Sequence, residues 1–498
     1  MKSALAILLT ILFVAGSAQT GNTAYGTNSL NSVTTGADNS AFGRNALKSN
    51  TTGSNNAAFG ASSMFSNTSG HSNTAVGLQS LYQNTTGYDN ISLGLKSLYS
   101  NTTASKNTAI GNYSLYSNTT GDQNTALGFG SLQQNTDGAN NTASGYNSLG
   151  SNTSGFANTA FGHSALYANT LGDANTAIGE GALKRNTSGS YNTASGYSAL
   201  ISNTTGSNNT ANGESALGAN TSGQNNTANG QNALKSNTTG TNNTGLGRES
   251  LAAATTAWGN TAVGYESLVS NTIGDSNTVV GAYSLMSNTT GSLNTAVGYQ
   301  TLTAITTGSK NTALGYKAQT NSSSNAVNQT IIGFEATGQA DNSVVLGNDD
   351  VTAVYMAEDR GAKIYAGEGD FSGDIVTAGN VTVSSDIRLK KDIVDLPSAL
   401  ENIKSLRPVS YRKKRSLNSE EYGSREIGLI AQELQAVYPD MVSEDDSEDP
   451  LLSVSYMELI PVLIKAIQEQ QVMIEEQQRE IESLKEGLID RELPTNEQ

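Results

Sequence analysis

Apolar residues enter this chain singly and on a fixed beat. A glycine recurs every 17 residues from Gly26, Gly43, Gly60 and Gly77 to Gly298 and Gly315, making 18 units without insertion or deletion. Two residues before it stands alanine in most units, as in Ala24, Ala41, Ala75, Ala109, Ala160 and Ala262. Four residues after it stands leucine, from Leu30, Leu47 and Leu81 through Leu268, Leu285 and Leu302. Met64 substitutes once, and Gln319 takes the place in the last unit, as an end coil would. The residue just before the glycine is permissive: Phe42, Val76 and Ile110, but also Ser144, Ser195, Asn212 and Asn229. Such regularity means stacked coils, each covering the next. Alanine and leucine are then the inner seam, and the permissive position lies on a partly wet or interchain surface.

Each unit reads roughly N-T-A-φ-G-x-x-S-L-x-x-N-T-T-G-x-x. The N-T-A-φ-G part alternates like a strand, and the x-x-S-L part predicts a short helical turn. N-T-T-G is turn chemistry, with Asn and Thr bonding locally and glycine allowing positive φ. That second glycine follows the first by ten residues (Gly36, Gly53, Gly70, Gly121), with Ala104 and Ala257 as exceptions. Stacking sets each Asn and Thr over its counterpart, so ladders satisfy polar groups along the axis. At about 4.8 Å per strand, the coils build a rod on the order of 85 Å long. One Leu and one Ala per coil bury little area, which predicts that several chains share one core.

Past Gly333 the register loosens. Residues 348–384 carry short strand patterns (Val351 to Met356, Ala362 to Tyr365, Ile375 to Val383) and predict a β-rich neck. From Ser385 charge becomes dense and helical periodicity appears. Residues 385–456 predict a compact α+β domain in which Gly428 to Tyr438 runs from strand to helix. The acidic run Glu444 to Asp449 reads as a solvated loop. Over 457–490, Ile460, Ile467, Ile474, Ile481 and Leu488 recur every seven residues, with Leu463, Gln470, Gln477 and Leu484 at the second seam position. That is coiled-coil patterning, with Pro461 tolerable in a first turn. The expected fold is mainly β: a repetitive β-solenoid or β-roll over 19–347, the neck, the α+β domain and a coiled-coil helix.

Composition narrows the function. Net charge is −16, which weighs against nucleic acid as partner. Lys2 followed by the apolar run Ala4 to Ala15 and the small residues Gly16, Ser17 and Ala18 predicts a signal peptide over 1–18. No integral membrane segment is expected, so the product is secreted or held at the cell surface. Cysteine is absent, which removes disulfides from the account of stability. His71 and His163 are the two histidines, both inside repeats, and no metal or cofactor is expected. Trp258, alone of its kind, replaces a turn residue and reads as packing variation.

One short segment looks chemical. In Ser384-Ser385-Asp386-Ile387-Arg388-Leu389-Lys390-Lys391-Asp392-Ile393 a serine precedes a lysine by five residues. A partly desolvated amine can lose its proton and activate a hydroxyl, although spacing alone leaves such a pair as ordinary surface residues. The segment is followed in order by Leu406-Arg407-Pro408-Val409-Ser410-Tyr411, Gly428-Leu429-Ile430-Ala431-Gln432-Glu433 and Tyr456 to Gln470. Together these resemble the C-terminal intramolecular chaperone of phage tail spikes, endosialidase-type fibres and the myelin regulatory factor, a self-cleaving Ser–Lys peptidase family. The resemblance implies a homotrimer whose tail helps the preceding fibre fold and then cuts itself off. It implies Ser385 as nucleophile, Lys390 as general base with Lys391 as rival, and Ser384–Ser385 as the scissile bond. Asp386 and Arg388 would hold the loop or a neighbouring subunit. The 17-residue units, with Asn342-Ser343-Val344-Val345-Leu346-Gly347, resemble head repeats of YadA-type trimeric adhesins.

Three classes of function are thereby separated. A trimeric fibre or adhesin with a self-releasing chaperone, meeting a host-surface or glycan receptor, fits every segment. A ligand-binding solenoid with glycan- or ice-binding Thr rows and the same chaperone is the alternative. A hydrolase for external substrates has no carboxylate pair or metal-ligand cluster in the repeats to support it.

Overall fold

The computed structural model describes residues 21–321, 324–354, 385–414, 420–444 and 450–489. The expected signal peptide, the neck beyond residue 354, Ser384 and the acidic run after Glu444 lie outside these residues. The chain divides into two compact units, residues 1–363 and 364–498.

In the first unit twenty three-residue strands, β1 (Thr23–Tyr25) to β20 (Val344–Leu346), pair in chain order, each parallel to the next. Thr74 stands opposite Ile91, and Thr108 opposite Thr125, so the register advances by one repeat per coil. This is a parallel β-solenoid, with about 90 Å of stacked strands at ordinary spacing. The middle residue of a strand points inward, and Ala41, Ala58, Ala75 and Ala109 are fully buried. The residues either side face out, which puts the permissive position on the surface: Phe42 and Phe59 are exposed there and stack on each other, ring centroids 5.0 Å apart.

The segment after the first glycine is not helical. Gln79 and Leu81 both take left-handed backbone (φ 56° and 52°), and the same two positions do so in coil after coil. Their N–H groups bond to the neighbouring coils, Gln79 to the Ala61 carbonyl at 3.0 Å and Leu81 to the Ser97 carbonyl at 2.9 Å. Cross-coil bonds therefore replace the bonds a helical turn would need. A left-handed leucine costs about 1–2 kcal/mol, and burying its side chain returns about 1.5–3 kcal/mol. The two nearly cancel. Leucine fills the corner, and the net stability of a coil rests mainly elsewhere.

Much of it rests on asparagine. Two asparagine columns run through the interior, fully buried. In the first, Asn56 Nδ2 donates to Asn39 Oδ1 (3.1 Å) and to the Gly70 carbonyl (2.9 Å). Its Oδ1 accepts from Asn73 N (3.0 Å) and Asn73 Nδ2 (3.1 Å). In the second, Asn67 Nδ2 donates to Asn50 Oδ1 (2.7 Å) and to the same Gly70 carbonyl (3.0 Å). Every donor and acceptor of such an amide is used, which is the condition for burying it without penalty. The turn glycine joins the two columns, and positive φ is not its reason. Gly70 lies outside the left-handed region, but a Cβ there would strike Asn67 Oδ1 and the Gly87 carbonyl oxygen. The first glycine of the repeat is constrained twice: Gly77 has φ 130°, and a Cβ would lie 2.7 Å from the Gly94 carbonyl carbon.

With both asparagine columns inside, the interior closes within one chain. Sharing a core between chains is not needed to bury it, because buried amides occupy the space that a count of Leu and Ala alone leaves unfilled. At the C-terminal end the beat changes: Thr312 pairs with Thr330, and Thr330 with Val344. Gln329 there stands in the first asparagine column, its N–H reaching Asn311 Oδ1 at 3.0 Å.

In the second unit helix α1 (Leu400–Ser405) is followed by the hairpin β21 (Val409–Lys414) and β22 (Tyr422–Gly428), and by helix α2 (Ala431–Gln435). A second hairpin, β23 (Val442–Glu444) with β24 (Leu452–Val454), leads into the 34-residue helix α3 (Tyr456–Ile489). The expected passage from strand to helix after Gly428 is thus present. Leu459, Val462 and Ala466 on one side of α3 are buried against this unit, Val462 and Ala466 packing with Ala399, Leu400 and Ile403. Glu469, one turn further on, accepts from Ser398 Oγ (3.1 Å), Ala399 N and Leu400 N (2.9 Å), tying the start of α1 to α3. The row Ile460, Ile467, Ile474, Ile481 and Leu488 points elsewhere and is exposed along its length. No described helix is long and apolar enough to cross a membrane.

Candidate active site

The segment that opens the second unit is built around a carboxylate. Asp386 precedes a single 3-10 turn, Ile387–Leu389, and its Oδ1 accepts from the Arg388 N–H at 2.9 Å. The Arg388 side chain folds back on the same carboxylate in a fork, Nε to Oδ1 at 3.0 Å and Nη2 to Oδ2 at 2.7 Å. These bonds hold the Asp386 carboxyl below its usual range, the Arg388 side chain being the larger cause and its backbone N–H the second. Asp386 and Arg388 therefore shape the loop by binding each other.

The turn brings residues five apart together. Lys390 Nζ donates to Ser385 Oγ at 2.7 Å, and both residues are exposed. Lys391, the rival at the sequence level, is not the amine that reaches the serine. Asp392 follows in the left-handed region (φ 56°), a conformation that Asp tolerates better than most residues. Chemically, a hydroxyl hydrogen-bonded to an amine can become a nucleophile when the amine gives up its proton. In this arrangement the amine donates, so the bond must reverse before it can serve as base.

Residues 385–443 match a peptidase family model described as the chaperone of endosialidase. Long tail fiber protein Gp37 of Escherichia phage AR1 is 39% identical over 92 residues, 18% of this chain and 8% of that protein. The Gp37 of Enterobacteria phage Ox2 is 34% identical over 142 residues, covering 28% of this chain and 53% of the relative. Myelin regulatory factor homolog 1 of Caenorhabditis elegans is 43% identical over 79 residues, 15% of this chain and 8% of its own. The matches are thus partial on both sides: the chain spans a tenth or less of some relatives and about half of another.

Sequence reasoning missed the residues that hold this unit together. Tyr456 at the start of α3 accepts the Leu429 N–H through its hydroxyl (2.8 Å), fixing the end of β22 to the helix. Glu469 does the same for α1. Both contacts join positions 27 or more residues apart, and no local pattern announces them.

Proposed function

We propose that this chain is a fibre, secreted or held at the cell surface, whose C-terminal unit gathers three copies and then cuts its own backbone between Ser384 and Ser385. The single observation that carries the reading is the 2.7 Å bond between Lys390 Nζ and Ser385 Oγ, in a segment similar to the chaperone of endosialidase and preceded by a β-solenoid. The phage relatives named above are themselves long tail fiber proteins.

In the proposed reaction neutral Lys390 takes the proton of Ser385 Oγ, which attacks the carbonyl carbon of residue 384. The C–N bond breaks, and the departing nitrogen of Ser385 receives the proton from Lys390. Residue 384 is left joined to Oγ as an ester. Water hydrolyses that ester to a carboxylate on residue 384 and a free hydroxyl on Ser385, now an N-terminus. A lysine is neutral more readily when desolvated, and in a lone chain the pair is open to water. Assembly supplies the covering, which orders folding before cutting.

Mass spectrometry of the purified product tests this. Wild-type chain yields a fragment beginning at Ser385, whereas Ser385→Ala and Lys390→Ala each stay full length and still oligomerise. Cleavage of Ser385→Ala at the same bond ends the proposal.

A further inference from the structure

Among the described residues, two apolar features of the second unit are left without a partner. The first is a groove of about 200 Å³ walled by Ile403, Leu406, Pro408, Leu429, Leu459 and Leu463 together with Tyr456, with no charged side chain in its lining. The second is the segment that carries the Ser385–Lys390 pair. Its aliphatic residues stand in water: Ile387 is 72% exposed, Leu389 74%, Ile393 63% and Val394 84%. Exposed aliphatics this dense on one short segment mark a binding surface.

We infer that the groove of one copy receives the Ile387–Val394 segment of a second copy, so that each serine–lysine pair is covered only by a neighbour. This rests on the self-cleaving reading above. Three observations select the occupant. Leu463 lines the groove and also belongs to the outward heptad positions of α3, so copies joined along α3 bring a neighbour to the rim of the groove. The groove has no charge to receive a polar ligand, whereas the segment offers aliphatic side chains of fitting size. And Ile387 and Leu389 flank Arg388 within one turn, immediately before Lys390, so seating them places the amine against the neighbour's apolar wall. Docking would then remove water from Lys390, which its role as base requires. Under this arrangement an exposed pair in a lone chain stays idle.

The test uses the full chain with two purification tags, co-expressed. One tagged version carries Leu406→Ser, which damages the groove, and is made in excess over the other, which is unaltered. If docking is between copies, the unaltered chains in mixed assemblies stay uncut, because their neighbours lack a groove, while Leu406→Ser chains beside an intact groove are cut. The reverse pattern, with every unaltered chain cut and every Leu406→Ser chain intact, means the segment seats on its own groove and overturns the inference. Because Leu406→Ser can also disturb folding, Leu389→Ser gives an independent reading: this side chain is already in water in the lone chain. Cleavage of Leu389→Ser should slow about tenfold to a hundredfold, the burial of one leucine expressed as rate, with assembly unchanged by light scattering. A wild-type rate overturns the docking while leaving the self-cleaving reading intact. Cleavage of Ser385→Ala would instead remove that reading itself.

Discussion

A buried amide carries two donors and an acceptor, and a column of them is stable only while each copy finds the next. The second asparagine column loses a member where Ala254 stands, and again at Ile305. The cost is visible on the preceding coil in each case: Asn237 Oδ1 and Asn288 Oδ1 are buried without a hydrogen-bond partner. On the far side of the first gap, Asn271 keeps its bond to the Gly274 carbonyl (2.9 Å). Ala257, in place of the usual turn glycine, sits in the same coil as Ala254, where no Oδ1 three residues earlier obstructs its Cβ. Ala254→Asn should therefore stabilise the solenoid by about 1–3 kcal/mol, the ordinary cost of an orphaned buried polar group. Ala104 coexists with Asn101, so the turn alanine does not forbid it. Hydrogen exchange across residues 237–271 checks the prediction, since stability in a solenoid is set by neighbouring coils. Faster exchange in the variant would refute it.

At the scale of elements, α1 and α3 are joined by one carboxylate. The backbone N–H of Leu400, then that of Ala399 and the Ser398 hydroxyl, hold Glu469 below its ordinary carboxylate range, with Lys465 adding to the effect and burial opposing it. A depressed folded pKa means that this contribution to stability is fully present above the unfolded value near 4.5 and is lost as pH falls through the lower folded value. Protection of the α1 amides should therefore drop on acidification below that value, while Glu469→Gln should show weaker protection at pH 7 and little further acid dependence from this contact. A mutant that keeps the wild-type acid profile would show that other groups control it. The asparagine columns of the solenoid offer a contrast, because their hydrogen bonds join neutral amide groups and carry no such dependence.

For the whole molecule, the two units differ in what they leave open to water. The solenoid buries its Leu, Ala and Asn within one chain; α3 leaves Ile460, Ile467, Ile474 and Ile481 exposed. Ile474→Asp places a charge in that exposed row and cannot damage the interior of a lone chain. It should leave the solenoid folded, abolish association and, under the proposed mechanism, abolish cleavage. Light scattering with circular dichroism reads the first two and mass spectrometry the third. An Ile474→Asp chain that stays associated would move the interface away from α3.

The sequence by itself determined the solenoid, because a repeat held in phase has one economical solution: every coil over the last, with equivalent side chains in contact. It also determined the asparagine ladders, the exposed column before each glycine and the strand-to-helix passage after Gly428, whereas the pairing of Ser385 with Lys390 was implied only by the family resemblance. Tertiary structure decided what depends on neighbouring coils or distant residues. Corner residues bond across coils, so leucine turns left-handed where local pattern suggested a helix. The turn glycine is favoured by the asparagine and the next coil's carbonyl packed against it, and the hold of Glu469 and Tyr456 on the C-terminal unit joins residues that no periodicity relates. Local conformational preference is worth about 1 kcal/mol per residue, and a coil surrounded by hydrogen-bonding neighbours overrides it.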